Sequence, residues 1–200
     1  MRIIGVTGGI GSGKSTVSRI LCNIGARIID ADIVSKKVVS KGEKALDEIV
    51  AYFGPDILDP NGELDRKKLA GVVFTDSEKL AQLNSITHKY IAQEILEQIE
   101  REKAEKNYDT LVMDAALPFE YGFIDTVEEI WVITADKETR IRRVMERSGL
   151  TYEEALDRIN SQMSEYEYAR IADHVIENNT DIIDLEKAVV KLYFKGNVIN

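Results

Sequence analysis

Gly8-Gly9-Ile10-Gly11-Ser12-Gly13-Lys14-Ser15 is the stretch that decides the fold of this chain. It fits the pattern G-x-x-x-x-G-K-[ST], which is typical of a loop that binds phosphate groups through its backbone N–H groups. The apolar run Ile3-Ile4-Gly5-Val6 precedes the loop and predicts a strand. Residues at helical spacing follow it and predict a helix: Val17, Ile20, Leu21 and Ile24. We therefore expect a strand, a phosphate-binding loop and a helix whose N-terminus faces the bound anion.

The residue types in this loop suit a nucleoside triphosphate and its metal ion. Glycine lets the backbone turn sharply and pass close to the phosphates. The Lys14 ammonium can reach the β- and γ-phosphates, and the Ser15 hydroxyl can ligate Mg²⁺. We expect ATP and Mg²⁺ at this site. The predicted residues for binding the ATP phosphates are Gly9, Gly11, Ser12, Gly13, Lys14, Ser15 and Thr16.

The composition excludes several other classes of protein. A net charge of −9 argues against a nucleic-acid binder, which needs clustered Lys and Arg. Two histidines and one cysteine are too few for a His/Cys metal cage. No apolar run approaches the roughly 20 residues of a membrane span, and the start lacks the apolar segment of a signal peptide. With a single cysteine there is no internal disulfide, so we expect a cytoplasmic protein. From the net charge and the lack of a long apolar run, we expect neither nucleic-acid nor membrane partners.

Carboxylates follow two of the predicted strands. Asp30 and Asp32 come directly after residues 26–29, and Asp114 closes the apolar run 111–113. The ends of strands in open α/β sheets form the ligand crevice, so both aspartates of the first pair can face the site. Alternatively, one of them caps the helix that begins near Ile33, and Asp30 is the better candidate. Asp114 has the form of a Walker B acid, which would hold Mg²⁺ or its water opposite Ser15.

A long helical segment separates the second and third strands. No strand pattern occurs in residues 40–107, which is too long for an ordinary connection and predicts a helical insertion that binds the acceptor substrate. His88 lies among its helical residues, either as a partly buried polar group or as a site residue. The predicted organisation is a core of residues 1–39, 108–136 and 168–200, with the insertion at 40–107 and a lid at 137–167.

The lid is predicted from the densest positive charge in the chain. Arg143 and Arg147 share one helix face with Arg140, and Gly149 follows that helix. A second helix starts at Thr151, where the spacing to Glu154 predicts a capping box. Two arginine-bearing helices in an acidic chain indicate a lid over the transferred phosphate, the alternative being a surface helix with ordinary ion pairs.

Further motifs along the chain resemble those of one family, the dephospho-coenzyme A kinases, within the P-loop nucleoside-monophosphate-kinase-like proteins. The resemblance covers nearly the whole chain. It is specific because the phosphate loop is combined with Ile29-Asp30-Ala31-Asp32, Gly62-Glu63-Leu64-Asp65-Arg66 and Leu83-Asn84-Ser85-Ile86-Thr87-His88. The resemblance also includes Arg158-Ile159 with Gln162. The sequence departs from the family pattern at Lys89, Ala116, Pro118, Ser148 and Thr180.

The resemblance implies an α/β fold of the P-loop NTPase type: a five-stranded parallel sheet flanked by helices, with a helical acceptor-binding insertion and a helical lid. It also implies transfer of the ATP γ-phosphoryl group to the ribose 3′-hydroxyl of dephospho-coenzyme A. By the same likeness Asp32 is the general base, and Asp65, Arg66 and His88 join it in binding the acceptor.

The remaining predicted roles concern charge and the nucleotide base. Lys14, Arg143 and Arg147 are expected to neutralise charge on the transferring group, and Asn178 to line the adenine pocket. Two alternatives stay open at this point. One is a P-loop kinase that acts on another small molecule or nucleotide, and the other is a nucleotide-binding switch that hydrolyses ATP without an acceptor.

Overall fold

The computed structural model describes residues 1–115 and 126–195. The chain forms two compact units. The first comprises Met1–Ile29 and Glu105–Asn200, and the second comprises Asp30–Ala104. The helical unit begins at Asp30 in this division, and the predicted boundaries of the insertion and the lid stay predictions.

The first unit is built on a five-stranded sheet. Its strands are β1 (Arg2–Thr7), β2 (Arg27–Asp30), β3 (Thr110–Asp114), β4 (Glu129–Thr134) and β5 (His174–Glu177). They lie in the order β2-β3-β1-β4-β5. The pairs β1–β3, β1–β4 and β4–β5 are parallel, so the carboxyl ends of these strands meet at one edge of the sheet. This arrangement confirms the predicted α/β class.

Helices connect the strands and make up the second unit. The helices of the described residues are α1 (Lys14–Asn23), α2 (Ala31–Lys37), α3 (Lys44–Phe53), α4 (Arg66–Val73), α5 (Ser77–Glu105), α6 (Lys137–Ser148), α7 (Tyr152–Asn160), α8 (Glu165–Ile171) and α9 (Ile182–Lys195). A short 3₁₀ helix occupies Pro55–Ile57. None of the helices in the described part of the chain is both long and apolar enough to cross a membrane.

The core of the first unit fixes α1 against the sheet. Ile4 and Val6 of β1 are fully buried, since β1 is the central strand and helices cover it. They belong to one cluster with Leu21 of α1, Trp131 of β4 and Val189 of α9. Each fully buried side chain of this size contributes about 1.5–3 kcal/mol relative to an exposed one. The packing therefore holds the N-terminus of α1 at the end of β1.

The second unit is helical, as its sequence predicts. Across residues 30–104, all of which the structure describes, the helices are interrupted by one isolated β-bridge, between Leu58 and Leu64. The helix α3 ends at Gly54, whose φ of 85° lies in the region that glycine tolerates best. The helix α3 thus ends where a glycine and a proline follow it.

The two arginine-bearing helices pack as a hairpin. Ile141 and Val144 of α6 contact Ala155 and Ile159 of α7 in a small buried cluster. Gly149 ends α6 in the left-handed conformation, with a φ of 65°, and lets the chain reverse. The side chains of Thr151 and Glu154 form the predicted capping box at the start of α7.

Candidate active site

The phosphate loop lies between β1 and α1, where the sequence places it. Gly13 is the N-cap of α1 and has a φ of 96°. A Cβ atom at this position would overlap the Asn178 Nδ2 atom, so only glycine fits. The first turn of α1 carries no acidic residue. The first turn itself therefore adds no carboxylate that would compete with an anion for the positive dipole end of α1.

The sheet brings Lys14 and Asp114 together at the loop. Val6 of β1 pairs with Asp114 of β3, which places this carboxylate beside the end of β1. The Lys14 ammonium forms an ion pair with Asp114 Oδ1. The Ser18 hydroxyl donates a hydrogen bond of 2.6 Å to Asp114 Oδ2. Asp114 is only 6% exposed, and both of its oxygens are thus engaged within the protein.

Ser15 is exposed in the first turn of α1. Ser15 follows Lys14 in the first turn of α1, so it lies within the predicted phosphate site. A hydroxyl and a carboxylate are oxygen donors of the kind that Mg²⁺ prefers. Ser15 and Asp114 therefore fit a magnesium site that is completed by phosphate oxygens.

Arg143 contacts the outside of the loop. Its Nη1 donates to the carbonyl oxygens of Gly11 and Ser12, at 3.3 and 3.4 Å. Its Nη2 donates to the Asn178 carbonyl at 3.0 Å. Because α6 carries Arg143 to the loop, the guanidinium lies against the predicted phosphate-binding residues. Arg147, one turn further along α6, is exposed.

Asn178 is part of the loop's immediate surroundings. It is 6% exposed, and its Nδ2 donates to the Ser12 carbonyl at 2.8 Å. Its own backbone N–H donates to the carbonyl of Thr134 at the end of β4. The structure thus places Asn178 beside the phosphate loop, and its predicted contact with the nucleotide base stays a prediction.

Two further side chains contact the loop at Ile10. Arg140 Nε donates to the Ile10 carbonyl at 3.0 Å. The Ile10 N–H donates to Gln162 Oε1 at 2.6 Å. From the sequence, Arg140 belongs to the arginine-rich segment of the predicted lid and Gln162 to a family motif, and neither residue has a predicted site role. The unusual arginine density in an acidic chain was the available signal.

In the second unit, the backbone separates the roles of Asp30 and Asp32. The Asp30 carboxylate is the N-cap of α2 and accepts hydrogen bonds from the N–H groups of Asp32, at 2.8 Å, and Ile33, at 3.1 Å. The cap prediction for Asp30 is therefore confirmed. Asp32 lies in the first turn of α2 and is exposed. Its carboxylate remains accessible to a ligand.

A cavity of about 420 Å³ lies within the second unit. Arg66 and His88, both predicted acceptor residues, line it together. Apolar side chains such as Leu69 and Val73 form much of the remaining wall. Asp65 has a different position: it caps α4 by accepting from the backbone N–H groups of residues 67 and 68, at 3.1 and 3.0 Å.

One departure from the family pattern has a clear structural setting. Lys89 forms an ion pair of 3.2 Å with Glu48 and lies over the Tyr90 ring. A hydrogen bond to Glu48 and the charge of that carboxylate raise the pKa of Lys89. Lys89 therefore links α5 to α3. The departures at Ala116 and Pro118 lie outside the described residues.

The chain is similar to known proteins over nearly its whole length. A family model described as dephospho-CoA kinase matches residues 2–184. A dephospho-CoA kinase from Staphylococcus haemolyticus is 40% identical, and the match covers 100% of this chain and 98% of the relative.

Solved structures also match over the full length. A crystal structure of a Thermus thermophilus protein matches with a TM-score of 0.81 and 33% identity, covering 100% of this chain and 98% of the other. A dephospho-CoA kinase from Campylobacter jejuni matches with a TM-score of 0.74 and 30% identity, covering 99% and 100%.

Proposed function

Because this chain belongs to the dephospho-CoA kinase family, we propose that it transfers the γ-phosphoryl group of ATP to the ribose 3′-hydroxyl of dephospho-coenzyme A. The products are coenzyme A and ADP. The observation that carries this proposal is the match over residues 2–184, which includes the phosphate loop and the whole helical unit. We further propose that the enzyme works in the cytoplasm, because a chain with a single cysteine forms no internal disulfide.

ATP binding would change the partner of Lys14. The loop N–H groups and the N-terminus of α1 bind the phosphates, and the Lys14 ammonium turns from Asp114 to the β- and γ-phosphate oxygens. This exchange replaces one anionic partner by another, so Lys14 is not left with a buried, unpaired charge. It also releases one oxygen of Asp114 for a new ligand.

Mg²⁺ would be held by the Ser15 hydroxyl and by Asp114, directly or through water. When bound, it would supply positive charge that offsets the negative charge developing on the phosphate groups. Among the residues that the structure describes, no group of three or more His, Cys, Asp or Glu side chains is placed to hold a metal ion. Ser15 and Asp114 would therefore act together with oxygens of the nucleotide.

Asp32 is the proposed general base. Its carboxylate accepts the proton of the acceptor 3′-hydroxyl as that oxygen bonds to the γ-phosphorus and the bond from this phosphorus to the β,γ-bridging oxygen breaks. ADP leaves with the electrons of the broken bond. The exposed position of Asp32 supports this role, and Asp30 already supplies the helix cap.

Arg143 and Arg147 would stabilise negative charge on the transferring group. Arg143 is held at the loop by its bonds to the carbonyls of Gly11 and Asn178. Fixed donors need no reorganisation when charge develops, which is why they favour the transition state. Arg147, which is exposed on the same helix, would complete the lid.

The helical unit would hold the acceptor. Arg66 and His88 line one cavity whose volume of about 420 Å³ suits part of a ligand the size of dephospho-coenzyme A. The Arg66 guanidinium can bind a phosphate group of the acceptor. Asp65 would act by fixing the start of α4, directly before Arg66. Asn178 is proposed to contact the adenine of ATP.

A coupled assay of ADP release tests the function. Purified protein is given ATP and Mg²⁺ with and without dephospho-coenzyme A, and the product is identified by mass. We expect ADP only with the acceptor, and a product heavier by one phosphoryl group. Lys14→Ala serves as the inactive control. Release of ADP that is unchanged by the acceptor would instead favour a nucleotide-binding switch, and activity with another acceptor would favour a different P-loop kinase.

A further inference from the structure

Both polar backbone groups of Ile10 are engaged by side chains from distant parts of the chain. The Ile10 carbonyl accepts from Arg140 Nε at 3.0 Å, and the Ile10 N–H donates to Gln162 Oε1 at 2.6 Å. Arg140 comes from α6, and Gln162 follows the end of α7. We refer to Arg140 and Gln162 as the Ile10 clamp.

Arg140 is unusually buried for an arginine. It is 5% exposed, and its burial lowers the pKa of the guanidinium. Nη1 lies 3.6 Å from Glu165 Oε1. Nη2 is buried and has no hydrogen-bond partner among the described residues. Burying a charged group whose hydrogen bonds are incomplete costs free energy, so this arrangement is more than a surface ion pair.

Arg140 also lies directly behind the loop. A Cβ atom at Gly9 would overlap Arg140 Nη2, so the absence of a side chain at Gly9 makes room for the guanidinium. Arg140 and Ser12 line a cavity of about 190 Å³ on this side of the loop. The Arg140 guanidinium therefore lies directly against the loop at Gly9.

Peptide geometry connects this clamp to phosphate binding. In a trans peptide the C=O and N–H groups point in opposite directions, and the described residues contain no cis peptide bond. The Ile10 carbonyl shares its peptide with the Gly11 N–H. Holding this carbonyl toward the Arg140 guanidinium therefore points the Gly11 N–H away from that guanidinium. The Ile10 N–H itself is taken by Gln162.

We propose that Arg140 and Gln162 are positioning residues that fix the Ile10 peptides so that the Gly11 N–H faces the phosphates of ATP. The inference rests on the proposed ATP site but does not depend on the identity of the acceptor. Neither side chain needs to touch the nucleotide. Their effect should therefore appear in the binding of phosphate groups and not in the binding of the nucleoside.

Equilibrium binding to the full chain tests the clamp. Affinities for ATP with Mg²⁺ and for adenosine are measured by calorimetry for the wild type, Arg140→Gln and Gln162→Met. We expect ATP affinity to fall about tenfold in each variant, the size of one lost hydrogen bond near a charged ligand, with adenosine affinity unchanged. Arg142→Gln is the matched control, since Arg142 is an exposed arginine on the same helix.

The double variant separates the clamp from two unrelated contacts. Because both residues act through Ile10, combining Arg140→Gln with Gln162→Met should lower ATP affinity by no more than about the larger single effect. Thermal unfolding verifies that each variant is folded. If Arg140→Gln does not fold, Gln162→Met alone decides the matter, because it leaves the buried charge in place.

Three results would overturn the clamp: unchanged ATP affinity in the folded variants, equal losses for ATP and adenosine, or a similar loss in Arg142→Gln. The first would mean that the Ile10 bonds do not shape the loop, and the second that the variants disturb the site as a whole. The proposed kinase activity can fail independently of the clamp. In that case the clamp variants would still bind ATP more weakly than the wild type, but the wild type would show no acceptor-dependent turnover.

Discussion

The local backbone places the carboxylates of Asp30 and Asp32, which are only two positions apart, in different environments. Asp30 has an extended conformation, with a φ of −93° and a ψ of 111°, and its side chain turns back to cap α2. Asp32 is inside the helix, where its own N–H is bonded to Asp30 and its carboxylate is exposed. The choice between cap and base therefore follows from which residue precedes the first helical turn.

Asp32→Asn should separate chemistry from binding. The amide cannot accept the hydroxyl proton, so we expect kcat to fall by about 10²–10⁴-fold while ATP affinity stays within about twofold of the wild type. Steady-state kinetics and calorimetry measure the two quantities. Asp30→Ala is the contrasting variant and should destabilise the fold by about 1 kcal/mol through loss of the cap. Equal losses of turnover and ATP affinity in Asp32→Asn would contradict the assignment of a base.

Arg147→Ala tests the lid at the level of one side chain. Arg147 is exposed, so its removal should leave the folded structure intact. If it stabilises charge in the transition state, kcat should fall about 10²–10³-fold with a smaller change in the KM for ATP. Arg142→Ala, on an exposed position of the same helix, should retain nearly full turnover. An equal fall of kcat in both variants would contradict a specific role of Arg147 in the transition state and indicate only a general effect of positive charge.

At the scale of elements, α6 and α7 act as a single hairpin that presents side chains to the phosphate loop. The buried contacts between Ile141 and Ile159 hold the helices together, and the capping box fixes where α7 begins. Arg140 lies near the start of α6 and Gln162 follows the end of α7, and both side chains bond to Ile10. The alternative of a plain surface helix does not account for these contacts.

Thr151→Ala should weaken the hairpin without touching the site. The Thr151 hydroxyl accepts from the Glu154 N–H at 3.3 Å, and the Glu154 carboxylate accepts from the Thr151 N–H at 2.8 Å. Losing this cap costs about 1 kcal/mol, which corresponds to about 2–4 °C in Tm for a chain of this size. Thr151→Ser keeps the hydroxyl and should keep the wild-type Tm. Calorimetric scans of both variants provide the comparison, and an unchanged Tm in Thr151→Ala would show that the cap is not needed.

Elements with a local signature were predictable from the sequence. The phosphate loop, the cap at Asp30 and the Thr151 capping box each depend on residues within a few positions of one another. The ion pair of Lys14 with Asp114 and the bond between Ile10 and Gln162 were not predictable in this way. Their partners lie 100 and 152 positions apart, and only the packed fold brings them together.

At the scale of the whole molecule, a charge cluster ties both ends of the first unit to its sheet. Arg2 Nε donates to Glu129 Oε1 at 2.5 Å, and Trp131 Nε1 donates to Glu129 Oε2 at 2.9 Å. Arg2 Nη1 also donates to the carbonyl of Tyr193 in α9. Burial by itself would raise the pKa of Glu129, but the bonds from Arg2 and Trp131 outweigh it and hold the pKa below its usual value.

The depressed pKa of Glu129 predicts a contribution to stability that acid removes. An acid whose pKa is lower in the folded state stabilises it above the unfolded-state pKa, here about 4.5, and that contribution is lost as pH falls through the folded-state value. Glu129→Gln should therefore lower the free energy of unfolding by about 2 kcal/mol at neutral pH, and the difference from wild type should shrink below about pH 4.5.

Urea unfolding across a pH series measures this difference. Glu128→Gln, at the exposed neighbouring position, is the control and should change stability by less than about 0.5 kcal/mol. A loss in Glu129→Gln that is the same at every pH would contradict the role of the ionised carboxylate and indicate a packing defect instead.

The division of the chain into two units also sets an order of assembly during synthesis. The helical unit, Asp30–Ala104, is continuous in sequence, so its contacts can form as soon as that segment has left the ribosome. The sheet is discontinuous: β1 pairs with β3 and β4, which are translated about a hundred residues later. We therefore expect the helical unit to fold while the phosphate loop still lacks its supporting sheet. Nucleotide binding can begin only after the later strands have been made.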